Sequence, residues 1–384
     1  MSSVLRLYQA DHQPNIRELF QEVMLPKLKE MKASAGHIRE SHLHLERWEL
    51  WWTSLAQEHT DNLAVCSLSP YPAGGPPAAD LTAEELIAWR RWLPEQRTLF
   101  PSGVSDRTLN KHVQTIAGVL AAAAELRPRE YSAIKVKRLK EGKAPKYYFT
   151  YEQLNALYNG ADAAEWPTKG IGSLSPGDFW RCAFVLFTHY GFRTQELISF
   201  EENHRPLLVR QFFWEPETPH PEGTACNSDG WLSYVPQKQK RSKPEPLVLP
   251  LNRVVRAHVQ MVLQAREAKE DEPLLPVPQC NRSFYAAWQR ILRAARVKPK
   301  ASLDGVPRDF ELKHFRKTNI TFMNLHRPGI APYITGHGPR DATSQVSETH
   351  YNNTELAVLD AITTFPQPSA FEKILKATRQ QSLF

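Results

Sequence analysis

The residues of this chain best suited to chemistry are basic ones in its second half, followed by one tyrosine. Arg193 lies in GFRTQEL, Lys313 and Arg316 lie in KHFRK, His337 lies in ITGHG and Tyr351 lies in THY. Neither a carboxylate nor a metal-ligand cluster belongs to the set. Cationic groups can stabilise charge that develops on a phosphate, and a phenol can act as a nucleophile. The combination suits a phosphodiester that is attacked by a phenol.

Each of these residues alone also has an ordinary structural interpretation. Arg193 can pair with Glu196 in a turn between helices, and Lys313 and Arg316, three apart on a helix, can form a solvated basic pair. A histidine after a glycine, such as His337, is typical of a loop, and a single tyrosine is typically a packed or half-buried ring. The functional interpretation therefore depends on the order of the residues and on their context.

In this order and context the residues resemble the tyrosine recombinase, or phage integrase, family. HYGFRTQEL is similar position by position to the family's first arginine box, KHFRKT to its His-x-x-Arg box, and GHG to its LGH motif. The first box assigns Arg193 to donate a fork of N–H groups to a phosphate oxygen, which lysine cannot do. The resemblance assigns Tyr351 as nucleophile, although the gap between His337 and Tyr351 is longer than usual in the family.

The second box departs from the family pattern because lysine stands where histidine is usual. Related type IB topoisomerases carry lysine at the equivalent position, so the substitution is compatible with the chemistry. The role of the family's histidine falls to Lys313 or to neighbouring His314. An offset of one residue turns a helical side chain by about 100°. We favour Lys313 because Arg316 sets the register.

The resemblance also implies a lysine at the turn of a β-hairpin, where it reaches the minor groove and the leaving oxygen. The runs GWLSYVPQ and PLVLPL have strand patterns and flank the basic turn KQKRSKPE, which predicts a hairpin. Lys238, Lys240 and Lys243 lie in this turn. Aligning SYVPQ with the family's preceding strand favours Lys238, with Lys240 as the alternative.

Helices must position most of these residues. In the first third, Asp80 is a plausible N-cap, and a further helix begins near Ser105. Arg107 and Lys111 lie outside the apolar stripe of that helix, so they form either a DNA-facing side or an ordinary solvated face. In the second half, an apolar helix is predicted from about Pro176 to Tyr190, ahead of the turn that carries Arg193.

A basic segment separates the two helical regions. IKVKRLKEGKAPK, residues 134–146, has six basic residues, one acidic residue and no evident apolar periodicity, which predicts a linker. The predicted organisation is a helical core-binding domain at 1–133, a basic linker at 134–147, and a catalytic domain with a C-terminal tail at 148–384. Basic side chains of such a linker can lie along phosphates. The residues expected to contact DNA there are Lys135, Lys137, Arg138 and Lys140.

Composition favours a polyanionic partner without requiring one. The 384 residues are enough for two domains, and 48 Lys and Arg against 41 Asp and Glu give a net charge of +7. The four cysteines are widely separated and show no CxxC spacing, so neither a zinc site nor a disulfide framework is indicated. No signal-peptide pattern and no membrane-spanning apolar run is present. We expect a cytoplasmic, nucleoid-associated protein.

The resemblance implies a mainly α fold with a small β-hairpin or sheet, arranged as a two-domain clamp on double-stranded DNA. It implies a site-specific recombinase or integrase that breaks and rejoins strands through a 3′-phosphotyrosine, without metal or other cofactor, as a tetramer on paired sites. A prophage, a mobile element or chromosome resolution is a possible setting.

Two alternatives are a catalytically inactive, recombinase-derived DNA-binding protein and a type IB topoisomerase-like or telomere-resolving enzyme. The complete residue set argues against the first. The tail, which carries Ile362 and Phe371, favours a recombinase over the second, because in the family a C-terminal helix docks onto a neighbouring protomer.

Overall fold

A computed structural model of the chain divides into two compact units, Met1–Ala144 and Pro145–Phe384. No helix in the described part of the chain is both long and apolar enough to cross a membrane. The structure describes residues 13–62, 75–101, 103–141, 147–169, 171–198, 206–214, 228–236, 246–275, 281–298, 300–301, 307–336 and 354–376.

The first unit is a helical bundle around a tryptophan-rich core. A single π-helical turn, Phe20–Met24, joins its first two helices. Trp48 and Trp89 pack edge to face with ring centroids 5.1 Å apart. Such contacts add to the large apolar area that each indole ring buries. The helices are α1 (Ile16–Leu19), α2 (Leu25–Glu30), α3 (Ala35–Asn62), α4 (Ala83–Trp92) and α5 (Asp106–Leu126).

The helix starts in this unit follow local capping chemistry. Ser105 caps α5 as predicted, since its hydroxyl accepts the Thr108 N–H at 3.3 Å. The predicted cap at Asp80 is wrong. Thr82 caps α4 instead, and its N–H donates to Glu85 at 2.7 Å within a capping box. The reciprocal pair satisfies backbone donors that Asp80, two residues further from the helix, leaves open.

The basic segment after α5 has neither helix nor strand over residues 132–141 and packs against the rest of the first unit. Ile134, Val136 and Leu139 pack against the core of this unit, so the segment has an apolar side that the sequence analysis did not detect. Buried Asn110 accepts the Leu139 N–H at 2.9 Å and donates to the Leu139 carbonyl at 3.0 Å. Four basic side chains in the described part of the segment are exposed: Lys135, Lys137, Arg138 and Lys140.

The second unit is built around one buried helix, α7. Its apolar residues occupy every face, which is typical of a helix inside a core. Phe184 and Phe187 stack on Phe315 at centroid distances of 5.3 and 5.6 Å. The helices are α6 (Tyr151–Gly160), α7 (Pro176–Tyr190), α8 (Thr194–Leu197), α9 (Arg253–Arg266), α10 (Asn281–Ala294), α11 (Lys313–His326), α12 (Ala331–Ile334) and α13 (Thr354–Thr363).

A small antiparallel sheet accompanies these helices in the order β1–β2–β3. Its strands are β1 (Phe212–Phe213), β2 (Trp231–Tyr234) and β3 (Leu247–Pro250), and β2 pairs with β3 with Tyr234 opposite Leu247. A second ribbon pairs β4 (Lys300–Ala301) with β5 (Pro307–Arg308). The predicted mainly helical fold with a small hairpin sheet is confirmed.

The C-terminal tail, over the residues that the structure describes, packs against its own unit. Ile362 and Phe371 are fully buried in the core of the second unit. The Tyr151 hydroxyl donates to the Pro366 carbonyl at 2.9 Å, and Asn155 accepts the Ala370 N–H at 2.9 Å. The tail therefore packs in cis in this single chain, which differs from the expected docking on a neighbouring protomer.

Candidate active site

Arg193 is positioned by the end of the central helix. Gly191 closes α7 in the left-handed conformation, with φ +60°, and donates its N–H to Phe187 at 3.0 Å. Arg193 then caps α8. Its backbone N–H donates to Glu196 at 2.7 Å and its Nη1 donates to the other carboxylate oxygen at 2.6 Å. The ion pair between Arg193 and Glu196, which the ordinary structural interpretation predicted, is therefore present.

Arg316 reaches the same carboxylate from α11. Its Nη1 donates to the Gly191 carbonyl, 125 positions away in the sequence. Its Nη2 donates to the Thr335 carbonyl at 2.9 Å. Nη1 also lies 3.9 Å from Oε2 of Glu196. Folding thus brings both predicted arginines to one glutamate.

The two arginines and Glu196 carry one net positive charge close to the surface. The glutamate side chain is 2 % exposed, whereas Arg193 is 21 % and Arg316 is 13 % exposed. Burial lowers the pKa of Arg316, the charge of Arg193 lowers it further, and Glu196 opposes the shift. Guanidinium groups remain protonated in proteins. The site therefore presents two cationic forks that one carboxylate does not neutralise.

A buried phenol borders this cluster. Tyr234 of β2 packs its ring against Phe192 at a centroid distance of 5.0 Å. Burial raises the pKa of Tyr234, and the negative charge of Glu196 raises it further. Its hydroxyl has no hydrogen-bond partner among the described residues. Tyr234 is therefore a neutral group beside the arginines.

Lys313 and His314 occupy different environments on α11. Lys313 is 61 % exposed and its ammonium group donates to Glu311 at 2.6 Å. His314 is buried, and its Nδ1 accepts the Glu311 N–H at 2.8 Å. Burial lowers the pKa of His314 to about 4, and the charges of Lys317 and Lys313 contribute to the shift. Of the two, Lys313 is the one whose exposure allows it to reorient toward an incoming phosphate, once it leaves its contact with Glu311.

Thr335 and Gly336, at the start of the GHG motif, form one edge of the site. Gly336 has φ +69°, and a Cβ there would lie 2.8 Å from the ring of Pro236, which follows β2. Thr335, the preceding residue, accepts the hydrogen bond of Arg316. The hairpin strand and the start of GHG therefore both adjoin the arginine pair. The remaining predicted catalytic residues lie outside the described residues: Lys238, Lys240, His337 and Tyr351.

The predicted DNA-contacting side chains on α5 are exposed. Arg107 and Lys111 both lie on the solvent side of the helix. Lys111 forms an ion pair with Glu40 at 2.7 Å. Exposed pairs of this kind contribute at most about 1 kcal/mol, so Lys111 can exchange Glu40 for another anion.

Sequence reasoning did not assign three buried residues of this site. Glu196 was considered only as a partner of Arg193, and neither Tyr234 nor Asn319 was singled out. Asn319 follows Arg316 by three positions, so helical spacing places both on one side of α11. That spacing was the available signal for Asn319.

Comparison with known proteins agrees with this architecture. No protein-family model matches the sequence, and no curated protein matches it. The structure of residues 82–397 of the Tn1549 transposon integrase in complex with transposon right-end DNA is similar with a TM-score of 0.52 and 13 % identity, over 90 % of this chain and 97 % of that one.

Two further solved structures are also similar. The same integrase with a circular-intermediate DNA gives a TM-score of 0.51 and 13 % identity, over 91 % of this chain and 99 % of that one. The XerH site-specific recombinase bound to its difH substrate has a TM-score of 0.49 and 14 % identity, over 90 % of this chain and 84 % of that one. The likeness to the two Tn1549 integrase structures confirms, at the level of the fold, the resemblance inferred from the motifs: this chain has the fold of the tyrosine recombinases.

Proposed function

We propose that this protein is a site-specific DNA recombinase that cleaves and rejoins strands through a 3′-phosphotyrosine. The observation that carries the proposal is the convergence of Arg193 and Arg316 on Glu196 in a partly exposed, net cationic site. Two guanidinium groups at one surface position suit a phosphate with two non-bridging oxygens. The two Tn1549 integrase structures that share this fold are DNA complexes, which agrees with the same substrate class.

The chemistry follows from the charges of these groups. The Tyr351 oxygen attacks a backbone phosphorus, a phosphotyrosyl bond forms, and the bond to the 5′-oxygen breaks. A phenol with an ordinary pKa near 10 is a weak nucleophile, so cations must stabilise the charge that develops. Arg193 and Arg316 take this role, and Lys238, or alternatively Lys240, protonates the departing oxygen. The hydroxyl of a partner strand then reverses the step.

The roles of Lys313 and His337 are auxiliary in this proposal. Both assist proton transfer and hydrogen bonding at the phosphate. Lys313 must exchange its contact with Glu311 for one with DNA, and its exposure permits this exchange. His314 is the weaker candidate because its ring nitrogen already accepts a backbone hydrogen bond inside the core.

DNA binding is proposed to extend over the first unit. Lys135, Lys137, Arg138 and Lys140 project from one ordered segment whose apolar side chains hold it to that unit. Phosphate contacts made by such residues supply affinity but little sequence discrimination. We expect the exposed side chains of Arg107 and Lys111 to act in the same way. Assembly as a tetramer on paired sites belongs to the same proposal.

Covalent capture in cells tests the proposal. The protein is isolated under denaturing conditions, and any DNA that remains attached is recovered and its ends are sequenced. The parent should retain DNA with a common end sequence, and Tyr351→Phe should retain none. Tyr333→Phe is a matched control because its hydroxyl is buried; it should behave like the parent.

Two outcomes would contradict the proposal. DNA that stays attached to Tyr351→Phe would show that another residue is the nucleophile or that no phosphotyrosine forms at this position. A parent that binds one DNA site specifically but never becomes attached to it would favour the catalytically inactive DNA-binding alternative.

A further inference from the structure

Asn319 is a fully buried polar residue in the contact between α7 and α11. Its Nδ2 donates to the carbonyl of Thr188 at 2.9 Å and to the carbonyl of His189 at 2.8 Å. Both carbonyls belong to the last turn of α7, where carbonyl groups lack partners within the helix. One side chain of α11 therefore satisfies two acceptors at the end of α7.

The turn that follows α7 fits closely around the same side chain. A Cβ at Gly191 would lie 2.6 Å from Oδ1 of Asn319 and 3.1 Å from Cγ2 of Thr335. Oδ1 has no hydrogen-bond partner among the described residues. The Gly191 Cα thus occupies the space in front of this oxygen, and a glycine is needed there both for its φ of +60° and for the close approach.

Arg316, three residues before Asn319 on α11, binds the same turn. It donates to the Gly191 and Thr335 carbonyls, while Asn319 donates to the two carbonyls before the turn. Arg193 lies only two residues beyond Gly191, and its own backbone N–H is held by Glu196 at the start of α8. Any shift of the end of α7 therefore moves Arg193 relative to Arg316.

We propose that Asn319 is a positioning residue that fixes the separation of the two phosphate-binding arginines. It does so without contacting DNA, because it is fully buried beneath them. The inference rests on the proposed function, since its effect is on strand cleavage. Rate depends steeply on the placement of catalytic groups, and a displacement of about 1 Å can cost on the order of 100-fold.

The test replaces Asn319 with leucine, which has a similar size and no donor. Single-turnover cleavage is measured on a nicked half-site that carries the sequence recovered by covalent capture, and affinity for the same half-site is measured in parallel. Asn319→Leu should cleave roughly 10- to 100-fold more slowly than the parent. Its affinity for the half-site should stay close to that of the parent, because most DNA contacts are elsewhere.

Thr318→Val is the matched control. Thr318 is the neighbouring residue, is also fully buried, and accepts the Phe149 N–H at 2.8 Å. The variant loses two buried hydrogen bonds, the one from the Phe149 N–H and the one to the His314 carbonyl at 2.9 Å, but removes no hydrogen bond to the end of α7. It should lower the unfolding midpoint and still cleave at the parent's rate when folded.

The outcomes separate the two proposals. An Asn319→Leu protein that cleaves at the parent's rate overturns the inference, and so does a loss of cleavage that Thr318→Val shares. If Asn319→Leu does not fold, Asn319→Ser decides by the same criterion, since serine is too short to reach either carbonyl. A parent that never cleaves overturns the proposed function, and this inference with it.

Discussion

Replacing Glu196 with glutamine should destabilise the second unit because two arginines would lose their shared anion. Glutamine keeps the shape of the side chain and an acceptor for the Arg193 N–H, so the change removes charge and little else. A hydrogen bond to a charged group contributes about 1.5–3 kcal/mol, and breaking a buried ion pair costs about 3–5 kcal/mol. Arg193 and Arg316 keep some solvation, at 21 % and 13 % exposure. We therefore expect a loss of about 2–4 kcal/mol.

Urea unfolding at neutral pH measures this loss, and the chain offers a matched control. Lys313 and Glu311 form an ion pair at 2.6 Å, as Arg193 and Glu196 do, but Lys313 is 61 % and Glu311 is 59 % exposed. Glu311→Gln should cost at most about 1 kcal/mol. Inorganic phosphate should stabilise Glu196→Gln more than the parent, because it can replace the lost carboxylate beside the two arginines. An anion that binds only the folded state raises the free energy of unfolding. Equal losses in the two variants, or no response to phosphate, would refute the reasoning.

Three further predictions concern other parts of the molecule. Changing the basic residues of the segment after α5 to glutamine should weaken binding to specific and random DNA alike. The slope of log K against log salt should also become shallower, by about 0.9 per lost contact. An unchanged slope would show that these side chains do not touch phosphates. The four changes are Lys135→Gln, Lys137→Gln, Arg138→Gln and Lys140→Gln. Burial lowers the pKa of His112 and of His258 to about 4, so on acidification the unfolded chain takes up protons before the folded one does. The free energy of unfolding should therefore fall as the pH drops from about 6.5 toward 4, by about 1.4 kcal/mol per pH unit for each histidine. Equal urea midpoints at neutral and acidic pH would contradict this. Truncation after Asn353 removes buried Ile362 and Phe371 and should lower the unfolding midpoint or the soluble yield, whereas a truncated protein as stable as the parent would argue against cis packing.

Features encoded by neighbouring residues could be predicted from the sequence. The apolar run predicted the range of α7, and the following Gly191 predicted its C-terminal end, because a left-handed glycine is a strong stop signal. The strands on either side of the basic turn were predicted from their β-branched and aromatic residues. The start of α4 was misplaced because Asp80 and Thr82 are both good caps, and only Thr82 has a glutamate three residues later.

Features that depend on distant residues could not be predicted in the same way. The second contact of Glu196 comes from Arg316, which only the packing of α7 against α11 brings near. Leu139 and Val136 were not recognised as apolar anchors because the surrounding basic residues dominate the pattern. Asn110, which hydrogen-bonds the backbone of Leu139, lies on another element. The family resemblance supplied the order of the arginine boxes. The spacing of Asn319 from Arg316 placed both on one side of α11, but it did not indicate that Asn319 would bind the end of α7.

The central claim is that Tyr351 forms the bond to DNA, and the most direct measurement identifies the residue that carries it. The captured adduct is digested with nuclease and protease, and the peptide that retains nucleotides is sequenced by mass spectrometry. The account predicts a nucleotide joined through its 3′-phosphate to Tyr351. A nucleotide on Tyr333 or on half-exposed Tyr285, or a linkage through a 5′-phosphate, would contradict it.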